Sequence, residues 1–186
     1  MLLVSLWFNR VGGREVRYHS PMPKDLENTA PSTEAERLTA FHEAGHAVMA
    51  QLCGRQVTEV EIVGDREHTG SVQSLAFPPD PADGAAPEAE TEEVARHLKC
   101  ILAGIIAEKM FSGREGWDET SEDLDGAVRL AMRLVDDCED VLPLLEELRI
   151  DVERDLQAHW SAVERLAVEL LDRKALTGSE VRKLLT

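Results

Sequence analysis

The sequence predicts a mainly α fold with a small antiparallel β-sheet (α+β), and three observations predict it. Apolar residues recur at helical spacing through four long stretches, while a single short region alternates with the period of two that a half-buried strand requires. Capping boxes open two helical segments, at Thr33/Glu36 and at Thr177/Glu180. Aromatic residues make up only 4% of the 186 residues, so the core has to rest on Leu, Val, Ile and Ala.

Residues 1–31 carry Gly12, Gly13, Pro21, Pro23 and Pro31 without a helical period, which suggests a short strand followed by a loosely held arm. Met1 to Phe8 is apolar but far shorter than the roughly 20 residues of a spanning helix. It also lacks a basic leader and a small-residue cleavage site, so an opening strand or docking segment is expected there, with no integral membrane segment. Residues 32–186 form the expected domain. Its first helix is predicted over 33–53, with Leu38, Phe41, Gly45, Val48, Met49 and Leu52 on one face and Gly54 as the stop.

Val57 to Val63 alternates and is rich in β-branched residues, and Ser71 to Phe77 is again extended, so a hairpin with its turn over 64–70 is expected. Four prolines in residues 78–90 mark a loop. Further helices are predicted over 91–112, over 121–138 and over 144–174, the last long enough to kink. A short terminal helix follows the second capping box.

The formal net charge is -16, which repels phosphate backbones and anionic headgroups, so nucleic acid is excluded as a partner. Cys53, Cys100 and Cys138 are odd in number and widely spaced. Buried free thiols in a reducing, cytoplasmic setting are the expectation.

The chemistry concentrates at His42-Glu43-Ala44-Gly45-His46, inside the first predicted helix. Residues four apart lie one turn apart on one face, so both imidazoles can reach a single ion. Zinc favours such neutral imidazole nitrogens, and Glu43 beside the first ligand can take a proton from a metal-activated water. A glycine within that turn costs about 1 kcal/mol of helix stability against Ala, which points to something approaching that face closely. A catalytic zinc site wants a third protein ligand. The candidates are Glu108, Asp118, Glu119, Glu122, Asp123 and Asp125, with Asp123 preferred because the first turn of a helix favours a carboxylate. His68, His97 and His159 are expected in a turn or on helix surfaces, and Glu108 could orient a ligand.

The string His42-Glu43-Ala44-Gly45-His46-Ala47-Val48 resembles the peptidase domain of the FtsH-type ATP-dependent zinc metalloproteases. So do Leu102-Ala103-Gly104-Ile105-Ile106-Ala107-Glu108, Ser121-Glu122-Asp123-Leu124 and the closing stretch through Leu176-Thr177-Gly178-Ser179-Glu180-Val181. The resemblance runs in order over roughly residues 33–186. It implies a helical zincin-like domain in which His42, His46 and Asp123 bind zinc and Glu43 is the catalytic base. Three positions depart from the family pattern: Ile105 stands where an Arg is usual, Lys109 for a second Glu and Glu122 for an Asn. The stretch from Val135 to Ile150 is shorter than the family's, so a hexameric ring is not assumed.

The 186 residues contain no Gly-Lys step, which a Walker A loop requires, so the peptidase domain is expected to stand without its ATPase module. The resulting expectation is a zinc-dependent endopeptidase that cleaves flexible or unfolded polypeptides without ATP. It leaves room for an ATPase partner in trans and for a homo-oligomer. The alternative is a catalytically weak zinc-containing interaction or adaptor module.

Overall fold

A computed structural model describes residues 33–62, 71–74, 87–113 and 121–185. The arm expected over 1–31, the 64–70 turn with His68, most of the 78–90 loop, and Asp118 and Glu119 fall outside the described residues.

The first helix, α1 (Glu34–Leu52), starts where the capping box puts it. The Glu36 amide donates to Thr33 Oγ1 at 3.1 Å, and the Thr33 amide donates back to Glu36 Oε2 at 2.8 Å. The helix closes through Cys53 into Gly54, whose φ of 75° is the left-handed conformation glycine adopts without strain. From Ala40 to Ala50 the helix is buried nearly all round, because it packs on both α2 (Pro87–Ser112) and α5 (Trp160–Arg173). Leu52, expected on the apolar face, is exposed at its end.

Phe41 pins this arrangement. It is fully buried and stacks on Phe111 of α2 at 3.9 Å between ring centroids and on Trp160 of α5 at 5.7 Å. At the other end, Arg55 forms an ion pair with Glu93 of α2. The two contacts fix the height of α1 against α2, and with it the height of His42 and His46.

The expected hairpin forms from β1 (Val57–Glu61) and β2 (Ser71–Ser74), antiparallel with Val60 opposite Val72 and a register shift between Val57 and Glu59. A third strand, β3 (Ala175–Thr177), pairs antiparallel with the other edge of β1, giving the order β2-β1-β3. Three residues are too few to show an alternation, so this strand has no signature of its own in the sequence. Lys174 makes the entry to it in left-handed conformation, φ 68°.

Several boundaries differ from the sequence expectation. Helix α2 begins four residues before the predicted 91, at Pro87, a residue tolerated in the first turn because its missing N–H is unpaired there anyway. The helix predicted over 121–138 ends early. It is α3 (Glu122–Ala131), followed by a turn and a short 3₁₀ turn at Cys138–Asp140. Acidic residues at a helix C-terminus oppose the dipole, and Asp136 to Asp140 is almost wholly acidic. Asp137 instead accepts from the Glu139 amide at 3.0 Å and caps the 3₁₀ turn. The long helix over 144–174 is two, α4 (Val141–Ala158) and α5, broken at His159. The break lets α4 lie on α2 and α3 while α5 lies on α1. Helix α6 (Gly178–Leu185) closes on β1 behind its capping box, with Thr177 donating to Glu180 Oε2.

The fold is therefore mainly helical with a small antiparallel sheet. Cys53 and Cys100 are half-buried free thiols, while Cys138, expected to be buried, is exposed on the 3₁₀ turn. No described helix is long and apolar enough to cross a membrane.

Candidate metal centre

His42 and His46 project from the middle of α1 toward the start of α3, which delivers Asp123. Ser121 opens α3 by accepting from the Leu124 amide at 3.4 Å, so Asp123 sits in the first turn, beside the positive end of the helix. The three donor atoms lie within 4.8 Å of one another. His42 Nε2 is 2.8 Å from Asp123 Oδ2, His46 Nε2 is 3.3 Å from the same oxygen, and the two Nε2 atoms are 3.0 Å apart. The imidazoles meet edge to face, and their side chains are 19% and 16% exposed, so the cluster opens to solvent on one side.

The outer nitrogens explain which way the rings face. His46 Nδ1 donates to the Cys100 carbonyl of α2 at 2.7 Å, which turns Nε2 toward Asp123. His42 Nδ1 faces the Glu108 carboxylate at 3.4 Å, which favours its proton on that side and leaves Nε2 as the donor atom. Two nitrogen lone pairs and a carboxylate oxygen then converge on one point. That set repels itself unless a proton or a cation sits among its members, and two imidazoles with one carboxylate suit zinc. The donor set thus fits the metal on its own chemistry.

The titration of the groups points the same way. Burial works against a charge on His42, but Asp123, Glu108 and Glu43 outweigh it and push the imidazole up to about 9. Burial likewise opposes the charge on Asp123, and hydrogen bonds from His42 and His46 overcome it and hold the carboxyl well below the usual range. Glu43 is buried, with 6% of its surface exposed. Burial raises its carboxyl above the usual value, His46 and His42 pull it down, and Asp123 and Glu61 add to the rise.

Of the other carboxylates considered from sequence, Glu108 faces the outer nitrogen of His42, while Glu122 and Asp125 are exposed. His97 is half-buried in α2, where burial, with Arg55 nearby, drives its imidazole down to about 3. His159 is exposed at the α4–α5 break and donates from Nδ1 to the Asp155 carbonyl. The sequence reading missed the Cys100 carbonyl. A backbone acceptor leaves no trace in residue identity, and only the α1–α2 crossing brings it to His46.

Peptidase family M41 matches residues 29–138 of the chain, a span holding His42, Glu43, His46 and Asp123. The ATP-dependent zinc metalloprotease FtsH of Opitutus terrae is 25% identical over 182 residues, covering 82% of this chain and 29% of that protein. The ATP-dependent zinc metalloprotease FTSH 9, chloroplastic/mitochondrial, of Oryza sativa subsp. japonica is 26% identical over 174 residues, covering 79% of this chain and 21% of its own length. FTSH 11 of Arabidopsis thaliana, likewise named an ATP-dependent zinc metalloprotease, is 24% identical over 181 residues, with 83% and 22% covered. The chain thus spans between a fifth and a third of the length of these relatives. With more than half of its residues matched, the chain belongs to peptidase family M41.

Proposed function

We propose that the chain is a zinc-dependent endopeptidase acting on flexible or unfolded polypeptides, with His42, His46 and Asp123 as metal ligands and Glu43 as general base. The observation that supports this most is the convergence of three donor atoms within 4.8 Å beside a buried carboxylate. The chemistry supplied by bound zinc at such a site is Lewis acidity, which makes water nucleophilic near neutral pH and polarises the scissile carbonyl.

The residues of the chain do the rest. The Cys100 carbonyl and Glu108 keep the outer imidazole protons in place, so both Nε2 atoms stay available. Asp123, held ionised, balances the positive charge. Glu43 follows His42 in α1 and is shielded from bulk water, so its carboxylate is a stronger base than a solvated one. It accepts the proton of the attacking water and hands it to the amine nitrogen that leaves. A peptide bond reaches such a site from a segment that has given up its own secondary structure, which sets flexible polypeptides as the substrate class. Nothing in this step consumes nucleotide. The ATP dependence in the relatives' names would enter through an ATPase unit, in the same protein or in trans.

The test is Glu43→Gln, assayed with zinc-loaded protein on an unstructured polypeptide such as casein. The variant should keep its zinc and lose cleavage by about 10²–10⁴-fold, the usual worth of a general base. Wild-type protein that holds zinc and cleaves nothing would instead leave a zinc-stabilised interaction module.

A further inference from the structure

Two glycines at the crossing of α1 and α2 face different obstacles. A methyl group on Gly45 would stand 2.5 Å from the Ala103 carbonyl oxygen and 2.5 Å from Ala107 Cβ, so backbone blocks it. A methyl group on Gly104 would meet the metal-site imidazoles instead. It would stand 2.4 Å from His46 Nε2, 2.6 Å from His46 Cε1 and 2.7 Å from His42 Nε2. Non-bonded carbon atoms keep roughly 3.5–4.0 Å from their neighbours, so the rings would have to move.

These are the two nitrogens that meet Asp123 Oδ2 at 2.8 and 3.3 Å. Gly104 lies one turn beyond Cys100 on α2, on the same face. Cys100 holds the outer nitrogen of His46 through its carbonyl, while the bare Cα of Gly104 leaves room for the inner one. The helix backbone thus grips the ring at one end and makes way for it at the other.

We propose that Gly104 is a positioning residue of the metal site: the missing side chain lets His42 and His46 bring their Nε2 atoms together beside Asp123. The inference rests on the zinc reading above and adds a residue that itself binds nothing. Its consequence runs against helix propensity. Ala is the better helix former, so Gly104→Ala should favour α2 as a helix. The obstructing atoms are the far ends of side chains, which can swing aside. The fold survives, and the donor set does not.

The experiment measures zinc affinity of metal-free wild type and Gly104→Ala by competition with a chromophoric chelator, alongside thermal unfolding of both metal-free proteins. Gly104→Ala should bind zinc at least about tenfold more weakly, as perturbed ligand orientation does elsewhere. Its metal-free form should still fold and unfold in one cooperative transition. Equal zinc affinity in the two proteins overturns the inference. If the metal-free variant melts lower, the substitution is repeated in a His42→Ala/His46→Ala background, where crowding against both rings must be relieved. A loss that persists there makes Gly104 a helix-packing residue and overturns its positioning role. A wild type that takes up no zinc overturns the zinc reading as well, and is told apart from failure of the inference alone, in which both proteins bind zinc equally.

Discussion

His42 meets carboxylates on both ring nitrogens, Asp123 at Nε2 and Glu108 at Nδ1, with Glu43 next to it in α1. A proton is therefore held there in the metal-free protein, and a metal ion would have to displace it. With the imidazole raised from 6.5 to about 9, apparent zinc affinity should fall about tenfold per pH unit below that value as protons compete. The sign reverses for folding of the metal-free protein. A group whose folded pKa lies above its unfolded one contributes stability that is complete below about 6.5 and is lost as pH rises through about 9. Chelator competition and urea unfolding of the metal-free protein across pH 6–9 should thus show affinity rising while stability declines. An affinity flat over that range would mean that His42 carries no competing proton. At this scale most of the candidate site was legible. The spacing of His42 and His46 needs only a helix to place both rings together. Asp123, 77 residues beyond His46, could be preferred for its helix start but not singled out, because six carboxylates competed and only packing chooses among them.

Helix α1 carries the site only because α2 comes close enough to touch it, and Gly45 is where that closeness is set. Gly45→Ala improves helix propensity yet drives a methyl group into the Ala103 carbonyl and Ala107. Overpacking of this kind costs about 1–3 kcal/mol, more than the propensity gained. Urea unfolding should show a loss of that order, in the metal-free protein as well as with zinc, and an unchanged midpoint would refute the close crossing. The sequence signalled this contact through the glycine itself, since a helix interior does not favour one. Other elements were less legible. The break at His159 falls inside a continuous apolar pattern, and only the need for α4 and α5 to serve different neighbours separates them. Strand β3 exists because β1 has a free edge there, a fact about packing and not about Ala175, Leu176 and Thr177.

For the molecule as a whole, α1 is the hub: α2, α5 and the sheet pack around it, and α3 reaches the site across α2. The hydrophobic core and the candidate metal centre therefore share one helix, with Phe41 buried and His42 beside it turned to the open side. The chain belongs to peptidase family M41 and spans between a fifth and a third of the length of the matched relatives, and peptide hydrolysis is the activity proposed for it. That assignment depends first on the metal. The decisive measurement is bound zinc per chain, by elemental analysis, on wild type and Asp123→Ala prepared side by side. A three-ligand site predicts about one zinc per wild-type chain and a marked loss in the variant. Wild-type protein free of zinc even after zinc is offered during refolding, or a variant that keeps its full complement, would contradict it.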